Sequence, residues 1–192
     1  MARTQKTAVL GSGHNYILKH TGVLPSVKEI IESCTPEKRY GTTYNGATLT
    51  YSGEVHTEQD DMGYVTATVL TKEEVKLKLG AFSWNVDMLD KLVSTARVAT
   101  EGDYKVARLG GLNNDNRESH IVVFEHVDKK NGNIYVIIVG KNSNGLSMAW
   151  AKDSVTKLEP EFTGEPQDDD GTLVMIVEAP PAQAVAAQTG GE

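Results

Sequence analysis

The sequence predicts a mainly β protein: a β-sandwich or barrel packed by one flanking α-helix. Three observations carry this reading. Two long stretches alternate polar and apolar residues with period two, an Asn-Gly turn joins two further apolar runs, and nowhere do strand and helix patterns alternate as β–α units.

The first stretch, Ala47 to Glu58, places Leu49, Tyr51 and Val55 on one face and Thr48, Thr50, Ser52, Glu54, His56 and Glu58 on the other. One polar face and one apolar face describe a half-buried antiparallel strand. Gln59 to Gly63 is an acidic turn. The second stretch, Tyr64 to Leu79, aligns Val65, Ala67, Val69, Val75, Leu77 and Leu79, with a break near Thr71-Lys72. The two stretches form a long hairpin. Ile121–Val127 and Ile134–Val139 flank Asn131-Gly132, whose glycine supplies the positive φ that a tight turn requires. The run Ile-Tyr-Val-Ile-Ile-Val is apolar on both faces and needs cover from a helix or another subunit. The closing strands are Ser154–Thr163 and Thr172–Val177. In the first, Leu158 and Phe162 share one face and Lys157, Glu159 and Glu161 take the opposite one; Pro160 marks an edge or bulge because it cannot donate to a ladder.

The flanking helix is placed after Ser83 or Asn85. Asp87 stands in its first turn, Val86, Leu89, Leu92 and Val93 form one stripe, and Lys91 and Arg97 lie toward its end. Val27, Ile30, Ile31 and Cys34 after Pro25 make a second, shorter helical pattern.

The 192 residues suit one domain, taken as 1–178, followed by a small-residue-rich, flexible tail, 179–192. No apolar run approaches a membrane span of about 20 residues, and the N-terminus lacks a secretory signal pattern. The single cysteine, Cys34, cannot form an internal disulfide. The chain carries a net charge of −7. From Asp153 onward there are nine acids and one base, or −8, which leaves +1 for residues 1–152. That balance argues against broad electrostatic binding of nucleic acid.

Catalytic and cofactor chemistry is thinly represented, and no enzyme and no cofactor are expected. His14, His20, His56, His120 and His126 show no metal-ligand spacing, although His120 and His126 share a strand face and could form a metal pair. Glu159 and Glu161 could act as an acid/base pair if burial raised one pKa. Cys34 reads as a small buried residue. Gly11-Ser12-Gly13 lacks the rest of a dinucleotide loop, Gly140-Lys141 lacks the rest of a phosphate loop, and Asp168–Asp170 lacks the ligand spacing of a calcium loop.

Taken together, several segments are similar to a known family. They are LGSGHNYIL, NGATLTYSGE, TKEEVKLKLGAFSWNVDMLDKLVSTARV, GGLNNDN, VDKKNGNIYVIIVGKN and SMAWAKDSVTKLEPEFTGEPQDDDGTLVMI. In this order and spacing, from Leu10 to Glu178, the chain resembles the major tail tube proteins of tailed bacteriophages and prophages of Gram-positive bacteria. Two places depart from that pattern: residues 23–39 look more helical, and the tail beyond Ala179 is longer.

The resemblance implies a structural virion protein, made in the host bacterial cytoplasm. Six copies would form a ring whose inner sheets join into one barrel, and rings would stack into a tube through which genomic DNA leaves without specific binding. Its partners would be further copies of itself, a tape-measure protein, a tail terminator and the baseplate or tip. On that reading Glu54, Glu58, Glu159 and Glu161 are candidates to face the lumen, and Asp60, Asp61 and Met62 to meet the next ring. Other readings stay open: a tail terminator or head–tail joining protein, a small hydrolase using Glu159 and Glu161, or a metal-binding module using His120 and His126.

Overall fold

A computed structural model describes residues 12–64, 66–83, 85–128, 130–150, 152–153 and 156–181. Its strands, in chain order, are β1 (Gly13–Lys19), β2 (Thr43–Gln59), β3 (Thr66–Ala81), β4 (Arg97–Glu101), β5 (Tyr104–Arg108), β6 (His120–His126), β7 (Ile134–Asn142), β8 (Glu161–Gly164) and β9 (Met175–Glu178). One α-helix, α1 (Val27–Ser33), and three short 3₁₀ segments accompany them. Seven strands build one antiparallel sheet in the order β1-β6-β7-β8-β3-β2, with β9 beside β7; β4 and β5 form a separate ribbon. The fold is therefore mainly β, with a large antiparallel sheet and few helices.

The sheet curls until its ends approach. The buried Asn15 Nδ2 on β1 donates to the Gly80 carbonyl on β3 (2.9 Å), and Tyr40 N donates to the Asn15 carbonyl (2.6 Å). Inside the curl lies a core of Ile17, Val75, Leu77, Leu79, Val122, Ile138 and Phe162, closed by Leu92 and Leu158. A second apolar cluster sits on the outer face of β1, β6, β7 and β9: Tyr16, Ile121, Val123, Tyr135, Ile137 and Val139, covered by Ile30 of α1. The strands that are apolar on both faces thus receive their cover from a helix of the same chain. Close pairing demands glycine at several strand positions, Gly13 among them. A Cβ on Gly13 would lie 1.9 Å from the Glu125 carbonyl oxygen of β6.

The two helical patterns exchange roles. The stretch after Asn85 is a 3₁₀ segment, Val86–Lys91, and Arg97 already begins β4. Val86, Leu89 and Leu92 are spaced by three, and a three-residue turn aligns them as well as an α-helix does. Ser83 does not cap this segment; its Oγ accepts from Thr42 N (2.8 Å). The shorter pattern is the α-helix. Ser26 Oγ accepts from Glu29 N (3.4 Å) while the Glu29 carboxylate accepts from Ser26 N (2.8 Å), a complete capping box.

The closing segment also differs from its expected form. Leu158 makes an isolated bridge to Ala81, and the regular ladder starts only at Glu161, after Pro160. The two closing strands do not pair with each other. Both lie on the same edge of β7, β8 at Gly140–Asn142 and β9 at Ile134–Ile137. The intervening residues fold into a turn in which Asp168 Oδ1 accepts from Thr172 N (2.9 Å). Ser154 and Val155 lie outside the described residues, as does the expected flexible tail from residue 182 onward. Before that point Ala179 N still donates to the Asn133 carbonyl (2.8 Å).

Candidate functional site: the open sheet face and its arm

Among the described residues, the outer face of the sheet is covered over one half only. Register places Lys76 opposite Thr163, Lys78 opposite Glu161, and Thr50, Ser52 and Glu54 of β2 opposite Lys76, Glu74 and Lys72. Cross-strand partners point to the same side. This polar surface is therefore the continuation, on β8, β3 and β2, of the face that α1 covers on β6 and β7. Glu54, Glu58 and Glu161 share it, and Glu159 joins them by reaching Lys78.

The face is not simply acidic. Each of its three β3 lysines has a carboxylate neighbour: Lys72–Glu54 at 3.4 Å, Lys76–Glu74 at 3.3 Å and Lys78–Glu159 at 2.6 Å. The bond to Glu159 and the charges of Glu159 and Glu161 raise the Lys78 pKa. His56 pairs with Glu58 at 3.1 Å in solvent. With Lys157, which lies over the Tyr44 ring at 4.0 Å beside Glu159, the result is a ladder of charges with a small negative surplus, five carboxylates against four lysines.

Beyond Thr50 and Glu73, β2 and β3 leave the body of the protein as an arm. Every residue of this stretch whose surroundings are described is exposed. A register shift separates the pairs Glu54↔Lys72 and Val55↔Leu70. Thr71 is the extra residue, and its Oγ1 donates to the Glu54 carbonyl (3.1 Å). Such a bulge reverses the facing of the strand beyond it. Ala67 and Val69 consequently fall on the polar face with Glu54, instead of aligning with Val75 and Leu77 as the alternation predicts. Leu70 takes the other face with Tyr51 and Val55. Tyr51 and Val55 are 57% and 63% exposed, although their face is the direct continuation of the core. At the tip, Asp60, Asp61 and Met62 are exposed, and Gly63 N closes the turn on the Asp60 carbonyl (2.9 Å). Val65 lies outside the described residues. β2 ends the strand order, so its outer edge has no strand partner among the described residues.

The reactive side chains are placed for other roles. His120 and His126 are both buried, at opposite ends of β6; six residues of strand separate them by about 20 Å, too far to share a metal. Among the described residues no group of three or more His, Cys, Asp or Glu side chains could hold a metal ion. Burial pushes the Cys34 thiol up to about 12, and its Sγ–H donates to the Ile30 carbonyl (3.3 Å); at neutral pH it is a packed thiol rather than a nucleophile. Lys78 stands between Glu159 and Glu161, so the two carboxylates belong to an ion-pair cluster. Compared with known proteins, the chain matches no family model and no curated protein.

Proposed function

We propose that this chain is a structural subunit of a phage tail tube, assembling as hexameric rings that stack around a DNA channel. The observation that carries the reading is the β2/β3 arm: a long hairpin exposed on both faces, with an apolar stripe continuing the core face and a sheet edge that has no strand partner among the described residues. Left bare, such an element is a liability, because open edges and apolar stripes recruit other chains. A closed ring satisfies the edge, and a head-to-tail contact between rings extends into an open filament. In the ring the curled sheets would join as one barrel, α1 on the outside.

The polar face suits the inner wall. DNA is gripped when lysine and arginine displace its counterions. Here the three β3 lysines already have carboxylate neighbours, Lys157 lies over the Tyr44 ring, and the surplus charge is negative. Glu54, Glu58, Glu159 and Glu161 would then line the channel, and Asp60, Asp61 and Met62 would reach the next ring. Tape-measure, terminator and baseplate proteins would complete the tail. Negative-stain images of the purified protein test the reading. Hollow filaments of uniform width are the expected result. Isolated rings would favour a terminator or head–tail joining protein, and a protein that stays monomeric at high concentration would overturn both.

A further inference from the structure

The dipeptide Asn-Gly occurs three times, at Asn45-Gly46, Asn131-Gly132 and Asn144-Gly145. Glycine has no Cβ to keep its main-chain nitrogen away from the side-chain carbonyl of the asparagine before it. Whether the two atoms can meet depends on what else holds them, and the fold holds the three pairs differently.

Two pairs are tied down. Asn131 Nδ2 donates to Asp128 Oδ2 (2.9 Å), Gly132 N donates to the Asp128 carbonyl (2.9 Å), and a Cβ on Gly132 would lie 2.0 Å from the Ala179 carbonyl oxygen. Asn144 Nδ2 donates to the Glu159 carbonyl (3.0 Å) and its Oδ1 accepts from Glu161 N (3.3 Å), which builds that amide into the closing segment. Asn45 is placed otherwise. It is exposed, at an irregularity of β2 where Thr43 pairs with Ala81 and Ala47 with Leu79. Four steps along β2 thus match two along β3, and neither Asn45 nor Gly46 has a register partner among the described residues. Their φ angles are +56° and +69°. Beyond the adjoining residues, no atom stands within 4 Å of the place a Gly46 Cβ would take. The Asn45 amide meets only the hydroxyl of the adjacent Tyr44.

We propose that Asn45 is a site of spontaneous deamidation, with water as the only co-reactant consumed. Hydroxide takes the proton of Gly46 N, and that nitrogen attacks Cγ of Asn45. The new C–N bond closes a five-membered succinimide, the Cγ–Nδ2 bond breaks, and the amide nitrogen regains a proton from water and leaves as ammonia. Water then opens the ring at either carbonyl. Opening at Cγ gives aspartate; opening at the main-chain carbonyl gives isoaspartate, in which the chain runs on through Cβ and Cγ. No electrons change hands: the chain loses ammonia and gains water. Either product sets a carboxylate beside Lys78 and Glu159, which line the same recess as Asn45, and isoaspartate also lengthens the main chain of β2 at its irregularity. The proposal stands apart from the tube reading.

The test warms the full folded chain at mildly alkaline pH and follows the three Asn-Gly peptides by mass spectrometry, with a urea-unfolded sample as the reference. In the unfolded chain all three should convert at similar rates, since the reacting dipeptide is the same. In the folded chain Asn45 should stay within a few-fold of its unfolded rate. Asn131 and Asn144 are each held by two hydrogen bonds that must break before the atoms can meet, so they should fall behind Asn45 on the order of tenfold or more. The aged Asn45 peptide should also accept methyl groups from an isoaspartyl methyltransferase, because direct hydrolysis of the amide would give aspartate alone. Asn45→Gln should abolish both signals in that peptide, as glutamine would have to close a six-membered ring. Asn45 protected as strongly as Asn131 and Asn144, all three converting at their unfolded rates, or an Asn45 peptide free of isoaspartate would overturn the proposal.

Discussion

On β1, β6, β7 and β9 the outer face of the sheet carries Tyr16, Val123, Ile137 and Val177 beneath α1; on β8, β3 and β2 the same face carries Thr163, Lys76 and Ser52 with no helix of the described chain above it. The backbone is the same ladder throughout. What changes is the pattern along each strand, from apolar on both faces to strict alternation. A seven-residue helix suffices to cover the first half because that half is narrow, and the capping box supplies the helix start that so short a segment lacks on its own. The second half needs no cover against water, which leaves it free to become a wall or an interface. Both halves contribute their inner faces to the core, through Ile17, Val122 and Ile138 on one side and Val75, Leu77 and Phe162 on the other; on the proposed tube reading it is the open outer face and the arm that are left for assembly, and substitutions can separate the two roles.

The largest effect is expected at Phe162, fully buried on the inner face of β8. Phe162→Ala should cost about 3–5 kcal/mol in unfolding free energy, read by denaturant titration. The contrasting substitution is Val55→Thr on the arm. It keeps a β-branched side chain in an exposed strand, so it should change stability by no more than about 0.5 kcal/mol while weakening polymerisation. If Val55→Thr destabilised the monomer as Phe162→Ala does, the arm would be part of the core and the division would fail.

Under the helix, Ile30→Ala should cost about 2–5 kcal/mol, since Ile30 is the buried residue of α1. Ser26→Ala removes the cap and should cost about 1 kcal/mol. If both left stability unchanged in denaturant titrations, the outer half would be covered by something other than α1.

Much of this division was legible in the sequence. Alternation placed β2, β3, β6 and β7 to within a few residues, and the double-sided apolar run of β7 announced that something must cover it. The partition of Leu158 and Phe162 from Glu159 and Glu161 was also readable, because a strand period of two leaves no other choice. Other features were hidden for physical reasons. A three-residue apolar spacing cannot separate a 3₁₀ turn from an α-helix, so Val86–Leu92 looked the stronger helix. The signal for α1 was Ser26 followed three residues later by Glu29, a local cue that outweighs the short length of its stripe. The β4/β5 ribbon turns at Gly102, whose φ is +60°, but its strands are short and mostly exposed, so hydrophobic patterning scarcely marks them. The bulge at Thr71 reassigns Ala67 and Val69 to the polar face, a change of parity visible only once β2 and β3 are in register. The lysine partners of the candidate carboxylates were in view as residues; their pairing depends on a strand pair, β3 with β8, that is distant in sequence.

The smallest expected effect concerns pH and the inner-face residue that begins β6. His120 is the first residue of β6, and burial lowers its pKa. Glu118 and Asp90 oppose that shift, and Lys91 and Lys19 add to it. The folded protein therefore binds a proton at His120 less readily than the unfolded chain, whose histidines titrate near pH 6.5. Stability rises with pH wherever the unfolded state holds more protons. The contribution of His120 is thus fully present above about pH 6.5 and is lost as pH falls below it toward the depressed folded value. In the wild type, unfolding midpoints should drop between neutral pH and mildly acidic pH. His120→Gln should flatten part of that slope, since the amide cannot titrate. A slope unchanged in His120→Gln would show that the side chain is solvated in solution, and that the start of β6 does not close the inner core.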